Sequence, residues 1–270
     1  MRGHTNAELL ICDDGYSYVA KGHNNPFGIR VLVSEWIGTQ LLHACGLPAP
    51  EAALIRTIGK PGSDPKDLHV GSRYPGDPYS TAVYDFLPDC LFDHVENWGF
   101  LAAGVIAFDV WVANTEIRQA IFARSDGRLR PYFIDNTHLF GGPTWAFVPT
   151  HNTGRLILYP GRRTIQRSDF FVWIERFRNC GDAIGYIRDS VPDSWLSPQD
   201  QMALNHVVEQ LQQRSNNLYQ MLSSELNPVA GANEAAQGPG FGFAHCCSTG
   251  PASPQMKGEN IRVTTGCASI

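Results

Sequence analysis

Long apolar runs are missing from this chain of 270 residues. No window approaches the roughly 18 consecutive apolar residues of a membrane span, and Met1-Arg2-Gly3-His4-Thr5-Asn6 lacks the apolar stretch of a secretory leader. The expectation is a cytoplasmic protein with no membrane partner. Excess positive charge is missing too. Lys and Arg total 21 against 26 Asp and Glu, a formal net charge of −5, so no global basic field draws nucleic acid to the chain. Arg162, Arg163 and Arg167 form the one dense basic cluster. The seven Cys include no CxxC pair, and an odd count is no disulfide framework, so they read as free thiols in a reducing compartment. His94, His138 and His151 are too scattered for a metal motif. What is present is core material. With 43% hydrophobic and 11% aromatic residues the chain can bury a sizeable core, which excludes disorder of the whole.

Along the chain, Glu8 to Cys12 and Tyr16 to Lys21 flank the turn Asp13-Asp14-Gly15 and read as a hairpin. Apolar residues at Val33, Trp36, Ile37, Leu41 and Ala44 recur at spacings of three and four, and Gly46 and Pro48 end the run, which predicts an amphipathic helix over Ile29 to Ala44. Ala52 to Thr57 reads as a strand. Gly59 to Tyr79 is rich in Gly, Pro and Asp and reads as a long surface loop. Ser80 to Leu87 returns to strand character, and Trp98 to Phe108 is apolar and Ala-bearing, as a buried helix would be. Ala120 to Arg124 and Pro131 to Ile134 flank Ser125-Asp126-Gly127 as a second hairpin. Helices follow over Asp169 to Arg178 and Pro198 to Leu222. Beyond Asn227 the composition turns to Gly, Ala, Ser and Pro, as in a disordered tail.

Three groups of residues carry chemistry. Lys21 ends a β-type run and Glu35 lies fourteen residues later in the amphipathic helix, an arrangement in which a helix carboxylate holds a lysine that reaches nucleotide phosphates. Read alone, the pair is more readily a strand-end lysine and a solvated glutamate. The polar loop Asp109-Val110-Trp111-Val112-Ala113-Asn114-Thr115-Glu116-Ile117-Arg118-Gln119 follows the buried helix and precedes a strand. It supplies a carboxylate for an attacking hydroxyl and amides for a metal, although capped helix ends look similar. Asp135 stands at the end of an apolar strand, where a Mg²⁺ ligand or an Asx turn would stand. Asp109 reads as a cap of the polar loop or an alternative base. Trp111, Phe122 and Phe133 lie in apolar runs and read as core rather than stacking platforms.

At MRGHTN, YVAKGHNNPFGIRVLVSEWIGTQLLHACGLPAPE, FDVWVANTEIRQAIF and YFIDNTHLFGG the sequence resembles the HipA-like kinase family, in particular its compact bacterial branch. The resemblance implies an α+β, two-lobed protein-kinase-like fold over residues 1–226, with a small β-rich N-lobe to about residue 87, a mainly helical C-lobe, and a tail over 227–270. It implies ATP and Mg²⁺ as ligands and a protein or small-molecule hydroxyl as acceptor. Gly3 would belong to the phosphate-covering loop, Lys21 would contact phosphates and Glu35 would orient it. Tyr84, Asp85, Phe86 and Leu87 would form the hinge facing adenine. Glu116, Arg118 and Asn114 would make up the catalytic loop, and Asp135 with Gln119 would hold the metal. Glu116 stands where the family usually carries Asp, which moves the carboxylate by about one methylene, ~1.5 Å. Weak kinase activity is therefore the expectation. The alternatives are a catalytically impaired pseudokinase serving as a nucleotide-binding regulatory module, and a scaffold that keeps the fold without the ligand.

Overall fold

In a computed structural model of the chain, the described residues are 6–23, 25–57, 68–125, 127–156 and 165–223. Gly3, Arg162, Arg163 and the stretch 227–270 lie outside them. The N-terminal half is built on an antiparallel four-stranded sheet of β1 (Glu8–Ile11), β2 (Ser17–Lys21), β3 (Ala52–Arg56) and β4 (Leu68–Arg73), in the spatial order β1-β2-β4-β3. The Asp13-Asp14-Gly15 turn joins the first two strands, with Gly15 at φ 80°, where an L side chain would be strained. Register places Lys21 opposite Val70, so the lysine leaves the sheet at its α1-facing end. α1 (Ile29–Ala44) matches the span its periodicity predicts. Its buried positions run from Val31 to Thr39 and on to Leu41 and Leu42, more than one face, because the helix is wedged between β3, β4 and the helical half.

The helical half surrounds α2 (Trp98–Val112), an apolar helix packed against α3 (Arg167–Asn179) and α5 (Pro198–Met221), with α4 (Gly181–Asp189) lying against α1. Gly104 makes the α2–α3 approach feasible: a β-carbon there would stand 2.7 Å from Trp173 Nε1. Trp111 stacks on Phe177 at 5.2 Å, and its indole N–H donates to the Leu211 carbonyl at 2.9 Å, so its one polar atom is satisfied inside the core. Between the halves lies a three-stranded sheet, β5 (Val83–Tyr84), β6 (Gln119–Ser125) and β7 (Arg128–Ile134). Trp111, Phe122 and Phe133 are buried, as the sequence suggested.

Several readings need correction, among them the start of the polar loop, since Asp109 to Val112 belong to α2 and the loop begins only after that helix. The long loop over Gly59 to Tyr79 contains β4, an interior strand paired on both edges. Its Gly71 fits there because a β-carbon would meet Ile55 Cγ1 at 3.0 Å, so close strand packing overrides the weak β-propensity of glycine. Strand structure in Ser80 to Leu87 shrinks to Val83–Tyr84. Helix α4 was not legible, since Gly181 and Gly185 dilute its pattern and it buries Ile184 alone. The thiol reading also changes: Cys12 is disulfide-bonded, a pairing that no spacing in the chain announces. No described helix is long and apolar enough to cross a membrane.

Candidate active site

Lys21 at the end of β2 and Glu35 in the second turn of α1 meet with Nζ 3.1 Å from Oε2. The same Nζ lies 3.1 Å from Oδ1 of Asp135, which follows β7 directly. Glu35 Oε2 also accepts the backbone N–H of Asn136 at 2.8 Å, so a carboxylate on α1 holds both the lysine and the turn that carries Asp135. Burial alone would lower the Lys21 ammonium, but Glu35 and Asp135 overcome it and raise the group above its ordinary value. Burial likewise pushes the Asp135 carboxyl up, yet Lys21 and a hydrogen bond from the Thr137 hydroxyl at 2.7 Å bring it below the usual range. The amide of Gln119 donates to Asp135 Oδ2 at 3.3 Å. Lys21, Glu35, Asp135 and Gln119, singled out by the sequence, thus converge.

Beneath them runs a buried network. Arg118 is 1% exposed and does not face the cleft. Its Nε contacts both Asp109 oxygens at 3.1 and 3.2 Å, and Nη1 donates to the Ile134 carbonyl at 3.1 Å and to Asn136 Oδ1 at 2.8 Å. Burial raises the Asp109 carboxyl, and the guanidinium works against that rise. Asn136 Nδ2 passes the connection to Thr39 of α1 at 3.0 Å. Asn114, also buried, accepts the Glu116 backbone N–H at 3.1 Å and so shapes the loop from within. Both Arg118 and Asn114 therefore support the loop from below.

The polar loop and the Asp135 turn are sewn together by backbone hydrogen bonds. Thr115 N–H donates to the His138 carbonyl at 3.1 Å, Phe140 N–H to Val112 at 2.8 Å and Gly141 N–H to Ala113 at 2.9 Å. These bonds hold Ala113 (φ 52°) and Asp135 (φ 64°) in left-handed conformations that cost an L residue on the order of 1–2 kcal/mol. Glu116 is half exposed, and its Oε1 lies 3.3 Å from His138 Nε2. Phe27 meets the His138 ring edge-on at 5.6 Å. His138 is the site residue that sequence reasoning missed. Its position three residues after Asp135 is the signal that the sequence carries for it. Tyr84 and Leu87 are partly and fully buried respectively, while Asp85 and Phe86 face solvent, at the crossing between the two halves. Among the described residues no cluster of three or more His, Cys, Asp or Glu converges as a metal site.

A β-sheet half, a helical half and a lysine clasped by two carboxylates between them define a two-lobed protein-kinase-like molecule. The model of the HipA-like kinase family matches residues 1–121. Among solved structures, the proinflammatory kinase CtkA of Helicobacter pylori is similar, with a TM-score of 0.53 at 13% identity, covering 84% of this chain and 94% of that one. At that identity the likeness is one of fold. No curated protein matches in sequence. The resemblance to HipA-like kinases read from the sequence is borne out over residues 1–121, the kinase-like fold by the solved neighbour, and the two together support a kinase-type function.

Proposed function

We propose that this chain is an ATP- and Mg²⁺-dependent phosphotransferase of the HipA-like type that acts on a protein or small-molecule hydroxyl. The observation that carries the reading is Lys21 held at 3.1 Å from both Glu35 and Asp135. In this reading Lys21 turns from Asp135 to nucleotide phosphates while Glu35 keeps its position. Lys21, Glu35 and Asp135 sum to one net negative charge, which suits a divalent cation arriving with phosphate oxygens. Asp135 would be the carboxylate ligand, and Gln119, whose amide N–H₂ now donates to Asp135, would add its carbonyl oxygen on turning, because Mg²⁺ takes one or two carboxylates and keeps water and phosphate for the rest. When bound, the ion would neutralise charge developing on the transferred phosphoryl group. Tyr84, Asp85, Phe86 and Leu87 would offer hinge groups to adenine, and Gly3 would lie in the loop over the phosphates. Glu116 would receive the acceptor hydroxyl, with Asn114 and Arg118 fixing its loop. The N-lobe would run to about residue 87 and the C-lobe over 88–226.

The pairing of Glu116 with His138 favours a second reading, a nucleotide-binding regulatory module without turnover, since that carboxylate is longer than Asp and already engaged. Calorimetric titration with ATP, with and without Mg²⁺, tests the binding both readings share. Lys21→Ala and Asp135→Ala are each expected to weaken Mg-ATP binding by roughly ten- to a hundredfold, the worth of a charge-assisted contact. Binding unchanged in both variants would sink both readings. Transfer of labelled γ-phosphate, or hydrolysis above the Asp135→Ala background, would then select the enzyme.

A further inference from the structure

Two cysteines lie together well away from the Lys21 cleft. Cys45 ends α1, whose last turn closes through Gly46 at φ 80°, with Leu47 N–H bonded to the Leu42 carbonyl at 2.8 Å. Cys180 fills the single-residue joint between α3 and α4. The Cys45 thiol donates to Cys180 Sγ at 3.0 Å, and the Cys180 thiol faces the Ala44 carbonyl at 3.6 Å. Both thiols are free. At 4% and 7% exposed they sit just under the surface, since Ala44, Gly46 and Asn179 beside them are exposed. The geometry points to a dithiol modification site, Cys45 with Cys180, that a low-molecular-weight disulfide such as glutathione disulfide converts to an intramolecular disulfide.

The chemistry has an order. Arg176 stands at this corner, with Nη1 3.4 Å from where a Gly46 side chain would begin, and its charge eases the loss of the Cys45 proton in the second step. The hydrogen bond from Cys45 lowers the Cys180 thiol, whereas that same contact and burial raise Cys45. Because Cys45 donates its hydrogen bond to Cys180 Sγ, and Cys180 is the more exposed of the two at 7% against 4%, Cys180 attacks first. Its thiolate displaces one glutathione thiolate and forms a mixed disulfide, and the Cys180 proton passes to the released glutathione. Cys45 then attacks the Cys180 sulfur, the mixed S–S bond breaks, and a second glutathione leaves with the Cys45 proton. Two thiols are oxidised and one glutathione disulfide is reduced to two glutathiones.

The bond closes a separation of 135 residues and ties the end of α1 to the α3–α4 joint. Glu35 lies ten residues earlier on the same helix, about 15 Å away, so the oxidised form fixes the helix that carries the lysine's partner. The inference goes beyond the kinase reading and does not need it. The test treats the full chain, folded, with glutathione disulfide, then unfolds it, alkylates remaining thiols and maps tryptic peptides. The expected product joins Val31–Arg56 to Asn179–Arg188, two hydrogens lighter than their sum, and is lost on thiol reduction. The thermal midpoint of the treated protein is expected to rise by roughly 5–15 °C, with no rise in Cys45→Ala or in Cys180→Ala. Recovery of both peptides singly, whether alkylated or glutathionylated, from treated wild-type protein would overturn the inference whatever the variants do.

Discussion

Arg118 shows how one side chain can organise a site it does not enter. It is buried against Asp109, and its remaining N–H groups reach the Ile134 carbonyl and Asn136. A buried ion pair adds little net stability, but removing one partner strands the other charge. Arg118→Met is therefore expected to cost about 3–5 kcal/mol in urea unfolding, while the double change Arg118→Met with Asp109→Leu should cost less than the single one. An equal or larger loss in the double variant would mean that the backbone contacts, and not the stranded charge, dominate. The same scale separates roles within the polar loop: Glu116 faces solvent and His138, whereas Asn114 and Arg118 act from below.

At the scale of elements, α1 is the part on which the site hangs. It supplies Glu35 to Lys21 and Asn136, Thr39 to the Asn136 amide, and Gly38 to the close approach between them. A β-carbon on Gly38 would stand 2.7 Å from Asn136 Cβ, an atom with no rotamer to swing away. Gly38→Ala gains up to about 1 kcal/mol of helix propensity but overpacks the contact by about 1–3 kcal/mol. The expected outcome is a small net loss of stability with a larger loss of Mg-ATP affinity, since Asn136 is driven off Glu35. Calorimetry beside a denaturant curve separates the two. Unchanged affinity would show that the Asp135 turn adjusts independently of α1.

For the whole molecule, contacts between distant parts of the chain set the pH range of stability. The carboxyls of Asp135 and Asp200 are both held low, the latter against the pull of its burial by Ser197 and by Arg30 at 2.8 Å, which joins α5 to α1. Their contribution is complete above the unfolded carboxylate value, ~3.9, and is lost as pH falls through the lower folded values. Lys21 is raised, so its share is complete below ~10.4 and lost as pH climbs through its higher folded value. Asp109, raised by burial, acts in the opposite sense to Asp135. The thermal midpoint is thus expected to decline below about pH 4, with a shallower decline in Asp135→Asn and in Asp200→Asn. Identical acid slopes in all three proteins would assign the decline to other carboxylates.

Local pattern in the sequence determined α1 to the residue, both hairpins, the buried α2 and the candidate chemistry of Lys21, Glu35 and Asp135, because periodicity, turn residues and ordered spacing are properties of neighbours along the chain. Tertiary structure decided what depends on partners far away. It made β4 an interior strand despite its glycine-rich setting, because β2 and β3 pair it on both edges. It buried Arg118 against Asp109, brought His138 to Glu116 and set Cys45 beside Cys180. None of these pairings leaves a mark on local composition, since the free energy that selects them arises only when folded elements exclude water between them.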